Sequence, residues 1–424
     1  MVAAAAVGAK PHVLIRTTTL DNGIAVVTER MPDVRSVTAG FWVGTGSRDE
    51  SPELFGASHF LEHLLFKGTP TRSARSISED VDAVGGDMNA FTTKEYTAFY
   101  VRLLAESLDL GLDILSDILW NPAFRPDEVE TERQVILEEI LMRDDEPSDL
   151  VHELFAEALY PSHPLGLEVL GDEDSIKGMS RDDIRGFFAE HYRPGNIVFA
   201  AAGLLDHDDV CEGISRRFAG PSGGAPPVRV APSVPPVPSV VCRRSTEQAH
   251  IVIGCTAFDR HSTDRYALAA LNHVLGGGLS SRLFQTIREE RGLAYSVYSY
   301  RVAFDDAGAL AVYAGCTPAR VGEVRRLISE ELDRLAADGI AERELDVAKG
   351  HLKGEMALSL EDSAARMSRV GRSLLVHGEI LEVDSLAARI DDVTLDDVAR
   401  VAADVLSRPR VVAAVGPLDE SALV

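Results

Sequence analysis

The chain has 424 residues, more than one ordinary hydrophobic core serves, and its 45% hydrophobic and 26% charged residues describe folded rather than disordered material. A formal charge of −25 excludes a general nucleic-acid binder, because phosphate contacts need a clustered basic surface, and it suits cationic peptides better. No stretch approaches the run of about 18 apolar residues that a membrane span requires.

The alanine-rich run Met1 to Lys10 has neither a basic leader nor a long apolar core, so it does not read as a signal peptide. With no span and no export signal, the expected compartment is the cytoplasm. Cys211, Cys242, Cys255 and Cys316 show no Cys-x-x-Cys spacing, which leaves neither a disulfide framework nor a thiolate metal site.

Ala25 to Val27 and Val37 to Val43 have the period-two pattern of strands. An amphipathic helix is predicted around Ser58 to Lys67, then a strand-like segment Asn89 to Arg102. Helices follow from Leu108 to Leu119 and, richly charged, from Asp127 to Arg143. Pro221 to Pro238 holds seven of the chain's twenty prolines together with Gly223 and Gly224, a composition that forms neither helix nor central strand. Beyond it, His250 to Cys255 reads as a strand and Tyr266 to Leu275 as a helix. Strand-like Ala294 to Val302 and Ala309 to Gly315 come next, then helices Arg320 to Ala336 and Glu342 to Leu358.

The two halves repeat this order, and Phe124 to Glu139 matches Ile340 to Glu355 in its spacing of apolar and charged positions. The expectation is an α+β protein of two homologous domains, each a mixed sheet packed with helices. The expected bounds are 1–220 for the first domain, 221–238 for the linker and 239–424 for the second.

Chemistry concentrates in Ala57 to Thr69, which reads ASHFLEHLLFKGT. On a helix, His59 and His63 lie one turn apart on one face, so two imidazoles can converge on one ion. Glu62 is set beside them, and the order is that of an inverted zincin, His-x-x-Glu-His. Phe60, Leu61, Leu64, Leu65 and Phe66 make the helix apolar nearly all round. A buried glutamate with two histidines is then costly unless a cation compensates.

Tetrahedral zinc needs a third protein ligand, with the fourth position kept for water. In the helix Asp127 to Arg143, Glu132 and Glu139 lie two turns apart on one stripe with Val129, Ile136 and Ile140, while Glu138 points elsewhere. One of the pair can bind the ion and the other orient a histidine; the spacing does not choose between them.

The segments HFLEHLLFKGT, MNAFTTKEYTAFY (Met88 to Tyr100) and ERQVILEEI (Glu132 to Ile140) together resemble the pitrilysin-type metallopeptidases, in the branch of the mitochondrial processing peptidase β-subunit and its bacterial relatives. The resemblance runs over nearly the whole chain. It implies Glu139 as the third ligand, Glu132 as its supporting glutamate and one Zn2+ per chain. Arg288 and Tyr295, within SRLFQTIREERGLAYSVYS, resemble the family's substrate-holding pair. Asn89 and Ala90 match the strand edge that takes a substrate backbone by strand addition.

In the second half, Ala269 and Asn272 replace His59 and Glu62 although His273 remains opposite His63, so that half is expected to be metal-free and to help enclose substrate. The expected activity is a zinc endopeptidase acting on short unfolded peptides or N-terminal extensions, with Glu62 as the base that activates water. The family's four-domain clam-shell implies a second subunit, and a homodimer is expected. The alternative is a non-catalytic scaffold or partner subunit of the same fold, which would normally lack the motif residues.

Overall fold

The computed structural model describes residues 14–419; the N-terminal run Met1 to Lys10 lies outside the described residues. Two mixed sheets organise the chain. The first contains β1 (Ile15–Thr19), β2 (Ala25–Arg30), β3 (Ser36–Val43), β4 (Asp87–Thr92), β5 (Thr97–Leu104) and β6 (Ile197–Gly203), in the order β1-β2-β6-β3-β5-β4. The second contains β7 (Ser239–Arg243), β8 (Ala249–Thr256), β9 (Ala294–Ala303), β10 (Gly308–Cys316) and β11 (Val411–Gly416), in the order β7-β11-β8-β10-β9.

Each predicted element is present to within a few residues, but Asn89 to Arg102 is a hairpin rather than one strand. Its strands β4 and β5 pair antiparallel around the turn 93–96, where the Thr93 hydroxyl accepts from the Glu95 and Tyr96 amides at 3.3 and 3.1 Å. A threonine that satisfies backbone donors locally favours a turn over continued extension. Phe218 to Pro238 contains neither helix nor strand.

Alternation along the strands builds a core on both faces of each sheet. In β3, Val37, Ala39, Phe41 and Val43 face a core formed with helices Ala57–Leu65, Leu108–Trp120 and Pro126–Asp144, whereas Trp42 faces the other side. In β10, Leu310, Val312 and Ala314 pack toward helices Val321–Asp338 and Leu395–Leu406, while Ala309, Ala311 and Tyr313 face away.

The outer faces are covered by exchange. Helix Ser363–His377, from late in the chain, lies on β2, β3 and β6 of the first sheet, where the Trp42 indole N–H donates to Met367 Sδ at 3.2 Å. Helix Pro147–Leu159, from before the linker, lies on β8 and β11 of the second. Neither sheet is therefore sealed by its own half of the sequence. Buried Glu29 of β2 pairs with Arg366 and Arg369 of the exchanged helix, and Arg48 pairs with Asp306 at 2.7 Å, so charges also tie the halves together.

Candidate metal centre

The helix Ala57–Leu65 begins at Gly56, whose φ of 93° lies in the left-handed region; a β-carbon there would come within 2.7 Å of the Leu170 carbonyl oxygen. Glu50 fixes this end. Its carboxylate accepts the Gly56 and Ser58 amide protons, each at 2.7 Å, and so satisfies two donors at the helix start. Phe60, Leu61, Leu64 and Leu65 are buried in the core, which leaves His59, Glu62 and His63 facing the helix Pro126–Asp144.

From that second helix Glu139 meets both imidazoles: its Oε2 lies 3.7 Å from His59 Nε2 and 3.7 Å from His63 Nε2. One nitrogen from each histidine and one Glu139 oxygen all lie within 4.8 Å of one another. The 3.7 Å gaps are too long for hydrogen bonds. They suit a tetrahedral ion, whose donors stand roughly 3.3 Å apart when each bond is about 2 Å. Two borderline nitrogens with one carboxylate oxygen are also a donor set proper to zinc. Burial and the neighbouring His63 ring push the His59 pKa down to about 4, so at neutral pH it offers a lone pair rather than a charge.

Glu132, two turns before Glu139 and 4% exposed, does not join the cluster. Its Oε2 lies 3.0 Å from His63 Nδ1, and its Oε1 accepts from Lys67 at 2.8 Å. The structure thus separates the two glutamates that spacing left equivalent. Glu138 is exposed.

Glu62 is held by Thr92 of β4, whose hydroxyl donates to Oε2 at 2.6 Å. Burial raises the Glu62 pKa, with the Glu139 charge adding to it and the Thr92 bond and His63 opposing. A carboxylate shifted this way can take and return a proton nearer neutrality. Thr92, Lys67 and Glu50 were not singled out from sequence. Lys67 stands four residues beyond His63 and Thr92 lies within the NAFTT run, but neither spacing by itself discloses a partner across two elements.

Asn89 and Ala90 lie on β4, which forms one edge of the first sheet. The Ala90 amide donates to Asn89 Oδ1 at 2.8 Å rather than to β5, so this backbone group is turned off the sheet. Arg288 and Tyr295 come together, the guanidinium 4.8 Å from the ring centre and 4.7 Å from that of Phe284. Tyr295 is 80% exposed. Among the described residues neither makes a hydrogen bond, ion pair or ring contact with the histidine cluster.

In the second half, helix Arg265–Asn272 runs on into a wider π-type turn, His273–Gly277; the His273 amide still donates to the Ala269 carbonyl, so the place equivalent to His59 stands one turn away but carries no ligand. His273 stacks instead on His351, ring centres 4.2 Å apart. His59, His63 and Glu139 form the one metal-type cluster among the described residues.

Comparison with known proteins agrees with this asymmetry. Residues 25–173 match the family model described as insulinase (peptidase family M16), and residues 178–352 match that of the peptidase M16 inactive domain. Proteins named uncharacterized zinc protease are 46% identical in Streptomyces coelicolor over 96% of this chain and 90% of the relative, and 38% identical in Bacillus subtilis over 95% and 98%. A crystal structure titled peptidase M16 inactive domain from Pseudomonas fluorescens has the same fold, with a TM-score of 0.89 at 21% identity over 96% of this chain and 98% of that one. Among the described residues no helix is long and apolar enough to cross a membrane. Two family models that together span most of the chain, and relatives matched nearly end to end, make this chain a member of the insulinase family, peptidase family M16.

Proposed function

We propose that this protein is a zinc metalloendopeptidase in which His59, His63 and Glu139 hold the ion and Glu62 is the catalytic base. The observation that carries the reading is the meeting of two imidazoles and one carboxylate from two separate helices, with a second, half-buried carboxylate beside them. Relatives named zinc proteases support both the metal and the reaction class.

Zinc, when bound, supplies a Lewis acid that polarises a scissile carbonyl and makes water more acidic. Glu62 takes the proton from the attacking water and returns it to the leaving amine, and Thr92 keeps its carboxylate oriented for both transfers. Glu132 orients His63 through Nδ1. Asn89 and Ala90 receive the substrate backbone as an added strand along β4, which presents an extended peptide beside the base. Arg288 and Tyr295 hold the substrate carbonyl or the developing oxyanion, in the same chain or across a dimer.

Units 1–220 and 239–424, joined by 221–238, form one half of a chamber that a second copy closes. The substrates are short unfolded peptides or N-terminal extensions, and the compartment is the cytoplasm. The test is cleavage of internally quenched peptides before and after chelation. Activity lost with the metal and restored by stoichiometric zinc is expected; cleavage indifferent to chelation contradicts the proposal.

A further inference from the structure

The segment 221–238 inverts the usual order of burial at one place. Val228 and Val230 are 96% and 74% exposed, while the Arg229 side chain between them is turned inward and largely buried. Burial of apolar surface alone would choose the opposite, so the inward turn is set by what the guanidinium meets.

It meets two loops of the first half. Arg229 forms a fork with Asp49, Nε to Oδ1 at 2.9 Å and Nη2 to Oδ2 at 2.8 Å, and Nη2 also donates to the Gly44 carbonyl at 3.2 Å and the Glu95 carbonyl at 2.7 Å. The Asp49 side chain is buried, and a bidentate pair of this kind fixes geometry as well as adding energy. The segment is pinned again at the next residue, where the Val230 carbonyl accepts from Arg48 and lies 2.9 Å from His163 Nε2.

Both loops lead into the metal centre. Asp49 precedes Glu50, whose carboxylate holds the start of the helix that bears Glu62. Glu95 lies three residues after Thr92, whose hydroxyl holds the Glu62 carboxylate. The loops also touch directly, the Ser47 and Arg48 amides donating to the Thr93 and Lys94 carbonyls at 3.1 and 2.7 Å. The Glu95 side chain is gripped by Arg48 at 2.5 Å, by Arg260 and by the Asp305 amide, so the second half closes the same node. Arg229 thus ties the segment that carries Thr92 to the segment that sets Glu62.

We propose that Arg229 is a positioning residue for peptide hydrolysis: by clamping the Asp49 loop to the turn 93–96 it fixes Thr92 against Glu62, and the linker is part of the support of the base rather than a tether. The inference rests on the reading of Glu62 as that base. Its effect falls on turnover rather than on substrate binding, because Asn89 and Ala90 are held away from the turn by their pairing with Tyr100 and Phe99 of β5.

Cleavage of internally quenched peptides by Arg229→Gln, with zinc content measured on the same preparation, tests it. The turnover number should fall about 10- to 100-fold, KM should stay within about twofold of the parent's and zinc content should not change, as for a catalytic group displaced by a change outside the site. Arg229→Lys keeps the charge without the fork and should recover only part of the loss. In Thr92→Val, adding Arg229→Gln should cost less than about threefold more, because both changes release the same carboxylate. In the chelated chain, Arg229→Gln should quicken hydrogen exchange at residues 44–49 and 93–97 and leave the helix Pro126–Asp144 as it was. Should Arg229→Gln fail to fold because Asp49 is left charged and unpaired, Arg229→Gln combined with Asp49→Asn removes that charge and should show the same loss of turnover.

The inference is overturned if turnover stays at the parent's rate, if exchange at both loops is unchanged, if the losses from Thr92→Val and Arg229→Gln multiply, or if zinc is lost in step with activity, which would make the ion rather than the base the group that the linker supports. Glu62→Gln tells the two failures apart. Parent-like cleavage by that variant removes the base assignment and this inference with it, whereas an inactive Glu62→Gln beside a parent-like Arg229→Gln removes this inference alone.

Discussion

His63 Nδ1 and Glu132 Oε2 stand 3.0 Å apart, and the other oxygen of that buried carboxylate takes Lys67 at 2.8 Å. The contact fixes the ring so that Nε2 is turned toward Glu139, and it links the two helices of the site through a group outside the cluster of His59, His63 and Glu139. Carboxylate partners of this kind raise ligand basicity, and losing one costs about 10- to 100-fold in metal affinity. Glu132→Gln, which keeps an oxygen acceptor, should weaken zinc about tenfold and Glu132→Ala more, as read by competition with a chromophoric chelator. Unchanged affinity in both variants would remove Glu132 from the account.

The exchanged helix makes the first sheet depend on the far end of the chain. Met367 is 1% exposed and accepts from Trp42, while a β-carbon at Gly371 would come within 2.6 Å of the Trp42 indole nitrogen. Met367→Ala should cost roughly 2–5 kcal/mol, and Gly371→Ala should lower Tm by wedging helix from sheet. A chain ending at residue 238 exposes Val27, Trp42, Val198 and Ala200, and should aggregate rather than fold. Cooperative unfolding of that fragment with the parent's Tm would contradict the exchange.

Glu153 lies on the other exchanged helix with Arg143 Nε at 3.4 Å. Burial, and then the Glu168 charge, push its pKa up to about 7 against the pull of Arg143. Between the ordinary value of 4.5 and about 7 the folded state keeps a proton that the unfolded chain has released. Stability from this group is therefore greatest below that window and is lost as pH rises through it. Tm should fall between about pH 5 and pH 8 more steeply in the parent than in Glu153→Gln, and parallel slopes would contradict the assignment.

Much of this architecture was legible in the sequence because it is local. Period two in Val37 to Val43 and the i, i+4 spacing of His59 and His63 are consequences of backbone geometry, and both elements form as read. Relationships set by tertiary packing were not legible. Spacing leaves Glu132 and Glu139 on one stripe, and only the crossing of two helices puts Glu139 against both Nε2 atoms and Glu132 against Nδ1. Nor does any periodicity reveal that Ser363–His377 covers a sheet made more than 150 residues earlier, since an amphipathic helix states that it has an apolar face and not what lies against it.

The central claim is that Glu62 moves the proton while three other side chains hold the ion, and Glu62→Gln separates those roles. The amide can still accept from Thr92 but cannot take a proton from water. Zinc content and peptide hydrolysis should be measured together on one preparation. The account predicts one zinc per chain, as in the parent, with hydrolysis reduced about 10²- to 10⁴-fold. Cleavage at the parent's rate by the fully metallated variant would contradict it.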